Sequence, residues 1–247
     1  MARFKFTLEY DGAPYVGWQR QANGASVQGV IENTLSLLEG QPVAIQGAGR
    51  TDAGVHATGQ VFHADLTRRD WQPDRLREAI NANMRPHPIA VLSIEIVPET
   101  FEARFSAIRR RYVYRLLNRR APPTHSVGQV WHVKRALDVA AMDTGAKHLL
   151  GKHDFTTFRA AECQAASPIR TMERLDVIKL GDIIEIHAAA RSFLHHQVRS
   201  IVGSLEHVGS GKWQPDMIAT ILEAKDRSRC GMVAPPDGLF LVGVDYE

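Results

Sequence analysis

The feature that most restricts the fold of this 247-residue chain is an order of secondary structure that occurs twice. In the first half, the apolar periodicity predicts a strand, a helix, two strands, a helix and a strand. The second half has a similar order with two helices before its last strand, although the sequence itself does not repeat. This order is typical of the split βαβ unit, in which mainly antiparallel strands carry helices on one face. We therefore predict an α+β fold made of two split βαβ (ferredoxin- or RRM-like) units.

The two predicted units meet near Glu99–Ser106. We accordingly predict an amino-terminal domain over residues 1–104 and a carboxy-terminal domain over residues 105–247. In the first, Val43–Gln46 and Val61–Leu66 are predicted strands on either side of a glycine-rich loop. In the second, apolar residues at helical spacing predict a helix over Phe193–Val208.

Composition excludes several classes of protein. A hydrophobic content of 44% and a charged content of 23% are typical of a soluble globular protein. The two cysteines, Cys163 and Cys230, are far apart and predict neither a disulfide framework nor a zinc site. Neither a secretory leader nor an apolar run of membrane-spanning length is evident. We expect a cytoplasmic protein that does not enter a membrane.

Positive charge is concentrated in one stretch rather than spread along the chain. The net charge is only +3, yet residues 103–120 contain seven arginines and no acid. A basic stretch with aromatic residues inside it favours a polyanionic partner such as RNA. The alternative is a strand edge that its charges protect from unwanted pairing.

The segment Gly47–Gln60 is the first candidate for chemistry. It contains four glycines, together with Arg50 and Asp52, between two predicted strands. It lacks the Gly-Lys-Ser/Thr ending of a P-loop and the third glycine of a dinucleotide-binding fingerprint. The alternative to a functional loop is an ordinary turn, where aspartate and glycine are common.

Two further candidates lie in the second half. Tyr112, between arginines, could stack on a nucleobase, or it could be a core residue of a basic edge strand. Arg199 is predicted to lie beside His195, one turn away on the same helix, at the edge of an apolar stripe. It would either need an acidic partner or extend into solvent. His195 and His196 are adjacent, so on a helix they would point in different directions, and we predict no metal site.

Taken together and in order, four motifs resemble those of the TruA-type tRNA pseudouridine synthases, and the amino-terminal stretch Phe4–Trp18 is also similar to that family. The resemblance covers nearly the whole chain and departs from the expected pattern at Gln197, where methionine is expected. The four motifs are Gly49–Ala57, Arg111–Tyr114, Ser192–Arg199 and Gly238–Tyr246.

The resemblance implies a pseudouridine-synthase-like fold and a cofactor-free homodimer. It also implies isomerisation of uridine to pseudouridine at positions 38 to 40 of the tRNA anticodon stem-loop. Asp52 is then the essential carboxylate, acting as a nucleophile or as a base. A nearby cation would keep that carboxylate ionised in a water-poor pocket, and we assign this role to Arg199. The alternative function is that of a non-catalytic RNA-binding protein.

The resemblance also suggests how RNA would be held. A uridine in an RNA stem must be flipped out before an enzyme can act on it. Tyr112 would stack on the flipped base, and Arg50 would fill the vacated position or contact the phosphate of that nucleotide. Arg109, Arg110 and Arg111 would supply charge to the RNA backbone.

Overall fold

The computed structural model describes residues 2–67 and 71–247. The chain divides into two compact units, Met1–Ile108 with Phe240–Glu247, and Arg109–Leu239. The last strand therefore groups with the first unit, although it follows the second set of elements in sequence. The division into domains 1–104 and 105–247, in the sense of parts that fold separately, stays a prediction. Within the described ranges, no helix is long and apolar enough to cross a membrane.

The first unit has the predicted split βαβ order. Its antiparallel strands follow the order β4-β1-β3, and β3 also pairs with β2 (antiparallel) and, through Phe240 and Leu241, with β10 (parallel). The elements are β1 (Ala2–Tyr10), α1 (Val27–Glu39), β2 (Gln46–Gly47), β3 (His56–Leu66), α2 (Pro73–Asn83), β4 (Ile89–Val97) and β10 (Leu239–Asp245).

The strands around the glycine-rich loop differ from their predicted bounds. The predicted strand Val43–Gln46 is only Gln46–Gly47, because the Ile45 N–H donates to the Glu32 carboxylate of α1 at 3.2 Å instead of to a strand. The strand β3 starts at His56 rather than Val61. Its early part includes Gly59, where a Cβ would lie 2.5 Å from the carbonyl oxygen of Val242 on β10. This close backbone approach requires glycine. Because glycine has no side chain, it interrupts the apolar alternation from which the start of the strand would be predicted.

The second unit contains the sheet β5-β9-β8-β7, which is antiparallel throughout, and β6 runs parallel to β5. The α+β class with mainly antiparallel strands is thus confirmed. Two short strands, β6 and β7, escaped prediction because three or four residues carry too little periodicity. The elements are β5 (Arg109–Asn118), β6 (Trp131–Val133), α3 (Val139–Lys147), β7 (Gly151–Asp154), β8 (Ile169–Leu180), β9 (Ile183–Ala190), α4 (Gln197–Gly209) and α5 (Met217–Ala224).

The helix α4 begins at Gln197, so the prediction that it starts at Phe193 is wrong. His196 has a left-handed backbone with φ of 61°, which cannot continue into a helix on its amino-terminal side. The Leu194 N–H instead donates to Gln197 Oε1 at 2.8 Å and closes the turn. His195 is consequently not on the helix, and the predicted helical pairing of His195 with Arg199 is wrong. The two histidines do not diverge on a helix either, since their ring centroids lie 4.0 Å apart in the turn.

A buried histidine in the first unit predicts a loss of stability in mild acid. The Ala103 N–H donates to His63 Nδ1 at 3.0 Å, which requires that nitrogen to be unprotonated. Burial, and then the charge of Arg3, lower the pKa of His63 below its usual 6.5. At a pH between the two pKa values, the imidazole is therefore protonated in the unfolded chain but not in the folded chain. Stability from this residue is complete above pH 6.5 and is lost as the pH falls through the folded pKa.

We expect His63→Asn to remove this part of the pH dependence, because an asparagine oxygen can still accept from Ala103 but does not titrate. Urea unfolding between pH 5 and pH 7.5 measures the effect. The free energy of unfolding should fall less steeply toward acid in the variant than in the wild type. Equal slopes for the two proteins would contradict the assignment.

Candidate active site

Asp52 lies in the loop between β2 and β3 of the first unit. Its side chain is half-buried, while Arg50, two residues earlier, is exposed. The Val55 N–H donates to the Asp52 carbonyl at 3.1 Å, and Gly54 has a left-handed φ of 76°. The loop therefore makes a tight turn directly after the carboxylate, at a place where glycine is the residue best suited to the backbone.

The segment Gly12–Trp18 braces this loop through contacts with its backbone. The Trp18 N–H donates to the Thr51 carbonyl at 3.0 Å. A Cβ on Gly17, where φ is 113°, would lie 2.8 Å from that same oxygen, and one on Gly12 would lie 2.1 Å from the Val55 carbonyl oxygen. The backbone on both sides of Asp52 is thus held by direct contact. No local pattern in the sequence assigns this role to the two glycines, because it depends on contacts with a distant loop.

A buried set of polar side chains fixes the residues next to Asp52. The hydroxyl groups of Tyr10 and Thr51 are hydrogen-bonded at 2.8 Å. Gln60 donates from Nε2 to the Gly49 carbonyl at 3.0 Å. Burial raises the pKa of Tyr10 to about 12, although its bonds to Thr51 and Gln60 favour the anion. Tyr10 is therefore neutral at ordinary pH and acts here as a fixed hydrogen-bonding group.

Tyr112 and Tyr114 share one strand of the second unit but have different surroundings. Tyr114 is completely buried and donates to the Pro235 carbonyl at 2.8 Å, and its burial raises the pKa of the hydroxyl. Tyr112 is half-buried, and its ring meets Phe193 edge to face at 5.1 Å. Tyr114 is thus a core residue, whereas Tyr112 keeps an accessible part held in place by a second aromatic ring. Its stacking on a base stays a prediction.

Arg199 lies in the first turn of α4 and is half-buried. Its Nε donates to the Ala234 carbonyl at 2.7 Å, and the Ala234 N–H donates back to the Arg199 carbonyl at 3.1 Å. Its charge also lowers the pKa of Tyr114, against the larger effect of burial. The guanidinium is therefore anchored within the second unit rather than extended freely into solvent.

The three consecutive arginines at the start of β5 alternate in exposure. Arg109 and Arg111 are exposed, and Arg109 donates to Glu173 at 2.5 Å. Arg110 is buried and donates to the Arg191 carbonyl at 2.7 Å. Exposure favours an RNA contact for the outer two, while Arg110 holds the loop that follows β9. The RNA-binding role of all three stays a prediction.

Comparison with known proteins identifies the family. The family model described as tRNA pseudouridine synthase matches residues 7–106 and 146–247. A tRNA pseudouridine synthase A of Beijerinckia indica subsp. indica is 67% identical over 246 residues, covering 100% of this chain and 94% of that protein. The enzyme of the same name from Methylocella silvestris is 62% identical over 247 residues, covering 100% of this chain and 99% of the other. A chain from a crystal structure of a Cbf5-Nop10-Gar1 complex aligns over 83% of this chain and 45% of its own length, at 11% identity and a TM-score of 0.34. The family match and the two relatives establish that this chain belongs to the tRNA pseudouridine synthase family.

Proposed function

We propose that this protein isomerises uridine to pseudouridine in tRNA, at positions 38 to 40 of the anticodon stem-loop. The observation that carries the proposal is the half-buried Asp52 on a loop whose backbone is braced by Gly12–Trp18, in a chain of this family. A protein that only binds RNA has no need for a carboxylate on a loop whose backbone is held this firmly, because RNA is itself an anion. The geometry therefore favours catalysis over the non-catalytic alternative.

The reaction requires an ionised carboxylate and no redox step. The N1–C1′ bond of the uridine breaks, the uracil turns, and a C5–C1′ bond forms. C5 then loses its proton, and N1 gains one. Asp52 assists bond cleavage either as a nucleophile or as a base toward the sugar, and both roles need the charged form. No cofactor is required for this balance.

Base flipping assigns roles to the remaining residues. Tyr112 stacks on the extruded uracil through its accessible part, and Phe193 keeps its ring in orientation. Arg50, which is exposed next to the loop carboxylate, fills the vacated position or contacts the phosphate of the flipped nucleotide. Arg109, Arg110 and Arg111 supply charge for the RNA backbone, and the two exposed ones are best suited to contact it.

A direct test uses the purified protein and an unmodified tRNA transcript, with mapping of pseudouridine along the RNA. We expect pseudouridine within positions 38 to 40, and none in a matched transcript that carries cytidine there. Tight binding of the transcript without any pseudouridine would overturn the proposal and support the non-catalytic alternative.

We further propose that the protein is a homodimer and acts in the cytoplasm. The dimer is what the family resemblance implies, whereas the compartment is the expectation from composition and cysteine content. Light scattering should give a molar mass of about twice 27.5 kDa. A mass of one chain at micromolar concentration would contradict the dimer, and cell fractionation tests the compartment.

Arg199 is proposed to act on the same nucleotide as Asp52, by keeping the carboxylate ionised. Arg199→Lys and Arg199→Met both lose the bond from Nε to Ala234, so each should cost about 1 kcal/mol of stability. Only the methionine variant also loses the charge, and we expect its turnover to fall about 100-fold below that of the lysine variant. Single-turnover rates and thermal unfolding separate the two effects. Equal turnover in the two variants would show that Arg199 is purely structural.

A further inference from the structure

The second unit contains a groove that none of the residues proposed for isomerisation line. Its volume is about 460 Å³, and it lies between the strand β6 with the residues that follow it and the carboxy-terminal part of α4. We call it the cationic groove and define it by six of its lining residues, Trp131, His132, Lys134, Arg135, Glu206 and His207. The space is shallow and open to solvent rather than enclosed.

The groove presents positive charge to solvent. Among its six defining residues, Glu206 is the one acid, and only 3% of its side chain is exposed. Arg135 Nε donates to Glu206 at 3.0 Å, and His207 Nδ1 lies 3.1 Å from its other oxygen. The carboxylate is thus used internally, where it holds two basic side chains in place. Lys134 is exposed, so the accessible surface is cationic.

His207 contacts a further cation and a further aromatic ring next to the groove. Lys212 Nζ lies 3.3 Å from His207 Nε2, so the lysine donates there when the imidazole is neutral. Trp213 meets the His207 ring edge to face at 4.8 Å. At the opposite end, Trp131 is half-buried and packs edge to face on Tyr114 at 6.3 Å. Cations between fixed aromatic rings are the features that bind single nucleotides and phosphates.

The groove is separated from the other candidate residues of the same unit. Trp131 pairs with Leu116 on β5, four residues beyond Tyr112, which corresponds to about 13 Å along a strand. His207 follows Arg199 by eight residues on α4, or about 12 Å along the helix axis. A nucleotide stacked on Tyr112 would therefore leave the groove free for another part of the RNA.

We infer that the cationic groove is a second RNA-binding site, which contacts the phosphate backbone of the tRNA outside the reacting uridine. The inference rests on the proposed function for the identity of the RNA. Lys134 and Lys212 neutralise phosphates, while Trp131 offers a ring to a neighbouring base. Because the site touches no reacting atom, it contributes to binding and not to the chemical step.

The test compares Lys134→Glu with Lys179→Glu. Lys179 is an exposed lysine on β8 of the same unit, so both variants change the net charge equally. Dissociation constants for a tRNA transcript are measured over a range of KCl concentrations, and turnover is measured at saturating tRNA. For Lys134→Glu we expect binding to weaken about tenfold and the salt slope to fall by about one. For Lys179→Glu we expect a change of less than about twofold, and turnover at saturation should be unchanged in both.

Equal dissociation constants and salt slopes for the two variants would overturn the inference. Lys212→Ala provides a second variant, whose expected effect is the same in direction, and thermal unfolding verifies that each protein is folded. The failure of this inference is distinguishable from failure of the proposed function. If the wild-type protein bound tRNA without forming pseudouridine, the proposed function would be wrong while the groove could still be an RNA-binding site. If pseudouridine formed normally and Lys134→Glu bound tRNA as the wild type does, the inference about the groove would be wrong while the proposed function stood.

Discussion

Asp52→Asn should stop pseudouridine formation while tRNA binding stays within a few fold of the wild type. Asparagine has nearly the same shape, so the turn at Gly54 and the bracing of Thr51 by Trp18 are kept. It lacks the negative charge that both a nucleophile and a base require. We expect no product above background in a single-turnover assay with a stoichiometric amount of enzyme.

Asp74→Asn is the matched control for this result. Asp74 is also an aspartate of the first unit, but its side chain is 82% exposed on α2. The Asp74→Asn variant should leave both tRNA binding and turnover unchanged. If Asp52→Asn formed pseudouridine at a rate near that of the wild type, the proposed role of this carboxylate would be wrong, whatever the family membership of the chain.

Gly203→Ala is expected to have the largest effect on stability. Gly203 lies in the middle of α4, where a Cβ would be 1.7 Å from the carbonyl oxygen of Met232. The clash is between the new Cβ and a main-chain oxygen, so no flexible side chain can move aside to relieve it. We expect a loss of about 3 kcal/mol or more, which outweighs the roughly 1 kcal/mol by which alanine favours a helix. Thermal unfolding should shift down by roughly 6–12 °C.

The same substitution should impair turnover beyond its effect on stability. The displaced segment continues to Ala234, whose carbonyl accepts from Arg199. Gly145→Ala is the control, since Gly145 is in α3, where the nearest atom to a new Cβ is Ile218 Cγ1 at 3.2 Å, in a side chain that can adjust. That variant should change stability by at most about 1 kcal/mol. Equal melting temperatures for the two alanine variants would contradict the close approach at Gly203.

Much of the fold could be predicted because apolar periodicity is a local property of the chain. The alternation in β1 and the helical spacing in α1 survive folding unchanged, since each of these elements buries one face. The family motifs selected Asp52, Tyr112 and Arg199 for the same reason, because a motif is a pattern of residue types. The roles of these residues at the reacting nucleotide remain predictions.

Other features depend on contacts between distant segments, and no local pattern contains them. The prediction started α4 four residues too early because Phe193 and Leu194 continue its apolar stripe, while the left-handed backbone of His196 is settled by the turn it belongs to. Likewise, period two places Tyr112 and Tyr114 on one face, yet only Tyr114 is completely buried, with a bond to Pro235 more than a hundred residues away.

The sequence alone determined which residues alternate, which cluster and which family motifs are present, because these properties belong to neighbours along the chain. Only the tertiary structure decided that Gly12 and Gly17 brace the Asp52 loop and that the acid of the cationic groove is buried beneath its bases. The physical reason is that steric exclusion and desolvation depend on which distant atoms come together in space.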